Sequence, residues 1–117
     1  MDHNRMLGAA GEAAAWAWYR RAGFHLEARN WRVRGGELDL IVSAGGLLVV
    51  CEVKTRTSDR FGGPADAVGH AKQRRIRALA AEWLAGQDRR WPEVRFDVAC
   101  VTPRGSAHRV EVITAAF

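Results

Sequence analysis

The segment Gly36-Glu37-Leu38-Asp39-Leu40, followed after ten further residues by Cys51-Glu52-Val53-Lys54, says most about this chain. Both segments place charged side chains on apolar runs that are typical of neighbouring β-strands. A charged group on a buried strand costs free energy unless it is paired. Carboxylates in such a position can hold a hard divalent cation, and a lysine beside them can meet a phosphate or a water. The two segments therefore predict the site of a metal-dependent nuclease.

The composition predicts a globular protein that binds nucleic acid. With 117 residues and 48% apolar content, the chain can bury a core of its own. Its formal net charge is +5, and of its 18 basic residues only Lys54 and Lys72 are lysines. Arginine is always charged and its planar guanidinium matches phosphate oxygens, so nucleic acid is the expected partner. An arginine-rich surface that serves only solubility is the alternative that charge leaves open.

The cysteines, the N-terminus and the apolar runs argue against several other classes of protein. Cys51 and Cys100 lie inside apolar runs without metal-ligand spacing, which argues against a zinc site or a disulfide scaffold. The alanine-rich N-terminal stretch is broken by Glu12 and lacks a signal-peptide layout, and no apolar run reaches membrane-spanning length. The scattered histidines predict no metal site. A cytoplasmic protein without a membrane partner is expected.

Hydrophobic periodicity and turn residues predict an α/β fold. The predicted elements, in chain order, are a helix over residues 4–22, strands over 25–33, 37–43 and 47–56, a helix over 64–85, and strands over 94–101 and 109–114. The strand that begins at Leu47 is apolar on both faces, as in a central strand covered by helices. The order αβββαββ predicts two main helices packed on a mixed sheet of about five strands. Residues 1–117 are expected to form a single domain.

Each predicted helix has an apolar stripe and recognisable ends. The stripe of the first helix consists of Leu7, Ala10, Gly11, Ala14 and Trp18, and Gly23 is its expected stop. The second helix is expected to begin at Pro64, with Asp66 in its first turn and Gly86 after its end. Its stripe consists of Val68, Ala71, Ile76, Leu79, Ala80 and Trp83. Trp91, in a short polar connection, is the one tryptophan that is a candidate for exposure.

Side-chain alternation predicts a carboxylate pair. Glu52 and Lys54 share one face of their strand, and Glu37 and Asp39 share one face of the preceding strand. The hairpin can bring Asp39 and Glu52 together, where their charges repel and a divalent cation neutralises both. Mg²⁺, or Mn²⁺ in its place, suits such oxygen ligands, and the Val53 carbonyl is a further candidate ligand. Lys54 would orient the attacking water or stabilise negative charge on the phosphate.

A simpler interpretation of Glu52 and Lys54 stays open, in which they form an exposed strand end and only pair with neighbours. The presence of Asp39 on the adjoining strand, and the apolar run that leads to Glu52, favour the metal site. Glu12 supports it, because it stands mid-helix among alanines and glycines that let a helix approach a sheet closely. Its alternative is an ordinary solvent-facing residue. Glu37 is either an outer ligand or a partner of the glycine-rich turn.

Several basic residues are candidates for nucleic-acid contacts. Arg56 continues the charged face of its strand, where contact with phosphate and pairing with Asp97 are equally open. The start of the second helix could track a nucleic-acid backbone, unless it is only a solvated face, through Lys72, Gln73, Arg74 and Arg75. Arg60, in the preceding loop, could contact a sugar or a base.

The chain also resembles a known family over nearly its whole length. The matching blocks are Gly8-x-x-Gly11-Glu12-x-x-Ala15, Gly23-Phe24, Arg29-Asn30-Trp31-Arg32, Gly36-Glu37-Leu38-Asp39-Leu40-Ile41, Glu52-Val53-Lys54-Thr55-Arg56, Phe61-Gly62, the helix with Lys72, and Arg95-Phe96-Asp97-Val98. In this order they resemble the YraN-type family of uncharacterised bacterial proteins, which looks like a branch of the restriction-endonuclease-like PD-(D/E)xK nuclease superfamily. Archaeal Holliday-junction resolvases are similar in layout.

The resemblance implies roles for four residues. Asp39, Glu52 and Lys54 match the core motif of the superfamily, and Glu12 matches its helical acidic position. The sequence departs from the motif in one place, because Leu38 stands where the motif has a proline before Asp39.

Together these features predict a Mg²⁺- or Mn²⁺-dependent endonuclease that acts on DNA, including branched or recombination intermediates. A nucleic-acid-binding module with little or no catalysis is the alternative, and a structural or partner-binding protein is the third. Because 117 residues offer little surface to embrace a branched duplex, a two-fold homodimer is the geometric expectation.

Overall fold

The computed structural model describes residues 3–56 and 68–117, and it has the predicted order of elements. The elements are α1 (His3–Arg21), β1 (His25–Val33), β2 (Gly36–Ala44), β3 (Leu47–Thr55), α2 (His70–Ala85), β4 (Glu93–Arg104) and β5 (Ala107–Ile113). The five strands form one sheet in the order β1-β2-β3-β4-β5. Only β3 and β4 are parallel, because α2 connects them, while the other neighbours are antiparallel. The predicted mixed α/β sheet is confirmed.

The sheet is covered by α2 on one face and by α1 on the other. The α2 face buries, among others, Ile41, Leu48, Val50, Ile76, Leu79, Trp83 and Val98. The α1 face buries Ala15, Tyr19, Leu40, Val42, Val49, Cys51, Ala99 and Val101. Strand β3 therefore contributes alternate residues to both clusters, as its apolar start predicts.

Helix α1 packs on β3 through a line of residues that is shifted from the predicted stripe. Gly11, Ala15 and Tyr19 are buried, four residues apart, whereas Ala14 and Trp18 of the predicted stripe are only half-buried. The approach is close at Gly11, where a Cβ atom would collide with the Thr55 hydroxyl oxygen. The helix ends at Arg21, and Gly23, with a φ of 94°, turns the chain as predicted.

Helix α2 begins later than the sequence suggests. Pro64 and Asp66 lie outside the described residues, but Val68 and Gly69 are not helical, so a continuous helix over 64–85 is wrong. Gly69 has extended backbone angles and stands as the N-cap of a helix that begins at His70. The predicted stripe is confirmed at Ile76, Leu79, Ala80 and Trp83. Ala71 is exposed, and Val68 is buried ahead of the helix.

A buried carboxylate ties α1 and the chain's end to the sheet. Asp97 is fully buried and accepts a hydrogen bond of 2.6 Å from the Tyr19 hydroxyl. It also accepts two from the Arg95 guanidinium, at 2.9 and 3.0 Å, and one from the backbone N–H of Ala115. Because every one of these donors faces one carboxylate, a buried charge is satisfied without solvent.

Trp91 corrects the sequence interpretation, since only 9% of its surface is exposed. Its ring lies 5.7 Å from that of Trp83, and the Arg89 guanidinium lies 5.0 Å from its ring centre. The apolar face of α2 thus extends to the connection before β4. Across the described ranges, neither helix has the length and apolar character that a membrane crossing requires.

Candidate functional site

The candidate site lies where β2 and β3 stop pairing. Their antiparallel register ends with Leu40 opposite Cys51, while β3 continues beside β4 as far as Thr55. Asp39 and Glu52 are the next residues beyond that last pair, 9% and 7% exposed respectively. By alternation they continue the row of Ile41 and Val50 toward α2. The hairpin therefore brings the two carboxylates together at the open end of a strand pair.

Backbone polar groups of β3 face this gap. The Val53 N–H donates a hydrogen bond of 2.9 Å to Oδ2 of Asp39. Because the N–H and C=O of one strand residue point to the same edge, the Val53 carbonyl faces the Asp39 side as well. Two carboxylates and one carbonyl thus converge on the gap between the strands.

The two carboxylates are in electrostatic conflict. Burial, together with the negative charges of Glu52 and Glu12, raises the pKa of Asp39 to about 7. The hydrogen bond from Val53 acts in the opposite direction but does not offset them. A pair of this kind retains a proton near neutral pH or gives it up to a cation.

A lysine of α2 already contacts this pair. The Lys72 ammonium lies 2.7 Å from Oε1 of Glu52, and the Glu52 side chain is 9% exposed. Burial by itself would lower the pKa of Lys72, yet its bonds with Glu52 and Lys54 raise that pKa above the ordinary value. Lys72, predicted on a nucleic-acid-binding helix face, thus lies within the carboxylate site.

Lys54 is the second lysine at the site, and its pKa is lowered where that of Lys72 is raised. Its side chain is half-buried, and burial, followed by its bond with Lys72 and the charge of that ammonium, lowers its pKa. Glu52 and Asp39 oppose the shift without cancelling it. A lysine with a lowered pKa can exchange a proton more readily than an exposed one.

Glu12 faces the same site from α1. A cleft of about 400 Å³ is lined by Leu7, Gly8, Glu12, Glu37, Asp39, Glu52, Val53 and Thr55. Burial raises the pKa of Glu12, a hydrogen bond with Asn30 lowers it, and the charge of Glu37 raises it again. The close approach at Gly11 brings this carboxylate to the sheet, as its small neighbours predict.

A second cleft reaches the carboxylates from the α2 side. It measures about 240 Å³ and is lined by Gly36, Glu37, Asp39, Glu52, Lys72, Arg75, Ile76 and Leu79. Asp39 and Glu52 form walls of both clefts. They are therefore reachable from either side of the sheet.

The other predicted residues lie at varied distances from the pair. Glu37 is exposed and pairs with Arg32 across β1 and β2 at 2.9 Å. Arg56 follows β3 and donates its backbone N–H to Val101, while Arg74 is exposed on α2. Arg60 lies outside the described residues.

Two residues at the clefts were not placed beside the carboxylates by the sequence interpretation. Asn30 bonds with Glu12 and has a φ of 50°, a left-handed angle that asparagine tolerates better than most residues. Arg75 lines the cleft on the α2 side. Asn30 belongs to the Arg-Asn-Trp-Arg block, so the sequence shows the motif but does not show that Asn30 bonds with Glu12. Arg75 was hidden in a run of basic residues.

Among residues 3–56 and 68–117, no three acidic, histidine or cysteine side chains come close enough to hold a metal between them. A metal at this position would therefore rely on the two carboxylates, the backbone and water.

The fold and the paired carboxylates define an α/β protein with a polar site at the edge of a strand hairpin. The chain belongs to the uncharacterised protein family UPF0102, whose model matches residues 11–101. It is 48% identical to a UPF0102 protein of Rhodococcus jostii (strain RHA1), over the full length of both chains. A UPF0102 protein of Mycolicibacterium vanbaalenii is 50% identical over 92% of this chain and 88% of its own. One of Anaeromyxobacter dehalogenans is 44% identical over 99% of this chain and 87% of its own.

Proposed function

We propose that this chain is a metal-dependent endonuclease that hydrolyses phosphodiester bonds in DNA. The observation that supports the proposal is the placement of Asp39 beside Glu52 at the open end of a strand pair, with Lys54 next along the same strand face. The resemblance to the PD-(D/E)xK superfamily and its restriction-endonuclease-like fold favours the same chemistry. The arginine-rich composition favours a nucleic-acid substrate.

The donor atoms suit Mg²⁺ or Mn²⁺. Asp39 and Glu52 offer carboxylate oxygens, and the Val53 carbonyl faces the same gap. Mg²⁺ is commonly held by one or two carboxylates and completes its shell with waters and substrate phosphates, so a third protein carboxylate is not required. Glu12, across the cleft, would accept a hydrogen bond from a water of that shell. A bound ion would polarise the phosphate and acidify a water molecule.

Side chains of the protein would orient the attacking water, neutralise charge and bind the DNA phosphates. Lys54 is half-buried beside the carboxylates, where its nitrogen can orient the attacking water or neutralise charge that develops on the phosphate. Arg75 at the cleft and exposed Arg74 would bind the backbone phosphates that flank the scissile bond. Arg56, at the end of β3, is a further phosphate contact in this proposal.

The proposed substrate structure and oligomeric state rest on resemblance and size. Branched or recombination intermediates are proposed because archaeal Holliday-junction resolvases are similar in layout. A two-fold dimer would supply one site for each of two strands. Sedimentation velocity at micromolar concentration, with and without a four-way junction, measures the state directly, and a monomer under both conditions would contradict the dimer.

A cleavage assay tests the proposed activity. Wild type is incubated with Mn²⁺ and linear, nicked, flap and four-way-junction DNA, beside Glu52→Ala and Lys54→Ala. Glu82→Ala, an exposed change on α2, is the matched control. We expect cleavage by wild type and control that falls at least about 100-fold in both site variants. Absence of cleavage by wild type, or equal cleavage by the site variants, would rule out an active site here.

The alternative is a nucleic-acid-binding module with little or no catalysis, which the net charge of +5 favours. It predicts DNA binding that weakens steeply with salt and no cleavage with any divalent cation. Buried carboxylates near phosphate repel it, so a pure binder gains nothing from Asp39 and Glu52. Tighter DNA binding by Glu52→Gln in EDTA, together with uncut DNA in Mn²⁺, would favour the binding module.

A further inference from the structure

Lys72 is not needed for the proposed cation site, yet it contacts one oxygen of a carboxylate that the cation would use. Its ammonium lies 2.7 Å from Oε1 of Glu52. The Glu52 side chain is 9% exposed, whereas that of Lys72 is 40% exposed and begins on α2. A buried carboxylate therefore receives its charge partner from a side chain that still reaches solvent.

The surroundings explain why a positive charge stays there. Asp39 and Glu52 stand side by side and both are buried, so two negative charges without a counter-ion would destabilise the fold. Among the described residues, Lys72 forms the ion pair recorded for Glu52, and the Lys54 nitrogen is bonded to the same ammonium. Lys72 thus offsets part of the negative charge of the pair in the protein without metal.

One carboxylate cannot bind both cations well. A metal ion bound to either oxygen of Glu52 would stand within a few ångströms of the ammonium, where two positive charges repel in a poorly solvated site. The Lys72 stem is long and flexible, and Lys72 and Arg75 line the same cleft from α2. The ammonium can therefore leave Glu52 without movement of the backbone.

We infer that Lys72 is a tethered counter-ion that a divalent cation has to displace from Glu52. The inference rests on the metal site proposed above and describes how that site is held when no metal is bound. Displacement would leave the ammonium in the cleft that Arg75 also lines, where it would meet a substrate phosphate. Lys72 is in this sense a positioning residue that links metal loading to phosphate binding.

Titration with Mn²⁺, followed by the electron paramagnetic resonance signal of the free ion, tests the inference without measuring cleavage. Lys72→Met removes the charge with little change of shape, and Lys72→Gln keeps a hydrogen-bond donor without the charge. Lys72→Arg retains a cation. Arg90→Met, an exposed change in the connection before β4, is the matched control. Melting curves in EDTA identify any variant that fails to fold.

We expect both neutral variants to bind Mn²⁺ about tenfold more tightly than wild type. Lys72→Arg and Arg90→Met should stay within about twofold of wild type. Binding by the neutral variants alone would also support the inference, because it would mean that the lysine excludes the ion. Equal or weaker binding by the neutral variants, with clear binding by wild type, would overturn it and leave the metal site in place. No Mn²⁺ binding by wild type or by any variant would overturn both this inference and the proposed metal site.

Discussion

Asp39 and Glu52 face each other just beyond the last residue pair of β2 and β3, with the Val53 N–H bonded to Asp39 at 2.9 Å. Nearby strand residues are apolar and buried, so the two carboxylates are a local exception to the core. Their cost in free energy is offset only in part by Lys72. The negative charge that remains on Asp39 and Glu52 should make the stability of the fold sensitive to pH and to divalent cations.

The stability of the metal-free protein should depend on the protonation of Asp39. Its pKa is about 7 in the folded state and 3.8 ordinarily, so the folded protein holds this proton more tightly than the unfolded chain. The group therefore stabilises the fold fully below pH 4, roughly, and this contribution is lost as the pH rises through about 7. Asp39→Asn removes the effect and should raise the free energy of unfolding at pH 8 by about 1–3 kcal/mol.

Urea denaturation in EDTA between pH 5 and pH 8, roughly, measures this dependence. Wild type should lose stability over the interval, and Asp39→Asn should lose less. Asp88→Asn, an exposed change, is the control and should follow wild type. Lower stability of Asp39→Asn at pH 8 would mean that the carboxylate is well compensated without metal.

Divalent cations should stabilise the fold through the same two residues. Addition of Mn²⁺ at pH 8 should raise the melting temperature of wild type by several degrees, roughly, and EDTA should reverse the rise. Near pH 5 the rise should shrink, because a protonated Asp39 is a poor ligand. Asp39→Asn and Glu52→Gln should lose the rise at both pH values. An equal rise in these variants would locate the bound ion elsewhere.

The contact between α1 and β3 should depend on the absence of a side chain at Gly11. Gly11→Ala places a Cβ against the Thr55 hydroxyl and should cost about 1–3 kcal/mol of stability. Gly8→Ala is the matched control, since nothing lies within 4 Å of its Cβ position. That change should be neutral or gain up to about 1 kcal/mol from helix propensity.

The same comparison has an internal check. Thr55→Ala removes the hydroxyl that the new Cβ meets, so it should recover part of the stability that Gly11→Ala loses. Chemical denaturation of the two single variants and the double variant measures the coupling. Additive losses would show that α1 does not approach β3 at this point.

The Tyr19 hydroxyl should stabilise the fold without contributing to the site. Tyr19→Phe removes one donor to the fully buried Asp97 and leaves the bonds from Arg95 and Ala115 in place. The expected cost is about 1–3 kcal/mol in urea denaturation, with an unchanged affinity for Mn²⁺. A loss of Mn²⁺ affinity with no loss of stability would contradict this division.

The order of elements could be predicted because it depends on local patterns. Alternation and apolar runs are visible residue by residue, and β3 revealed its central position by being apolar on both faces. The start of α2 was placed at Pro64 because proline and Asp66 are common first-turn signals. Gly69, which precedes the helix with extended angles, gives no comparable signal in the sequence.

The part of the site that depends on strand geometry could be predicted from the sequence. Alternation and a hairpin suffice to bring Asp39 and Glu52 together. The Lys72 contact depends on how α2 packs over the sheet, which no short motif encodes, so the sequence predicts this lysine only as a nucleic-acid contact or as part of a solvated face. Tyr19 was missed for the same reason, because its partner Asp97 lies on a distant strand.

Anomalous scattering from crystals soaked in Mn²⁺ would show whether Asp39 and Glu52 share one ion. We expect a peak between the Asp39 and Glu52 carboxylates, about 2.2 Å from an oxygen of each, with the Lys72 ammonium moved away from Glu52. A peak elsewhere with Lys72 still bound to Glu52, or no peak at an ion concentration that saturates solution binding, would contradict it.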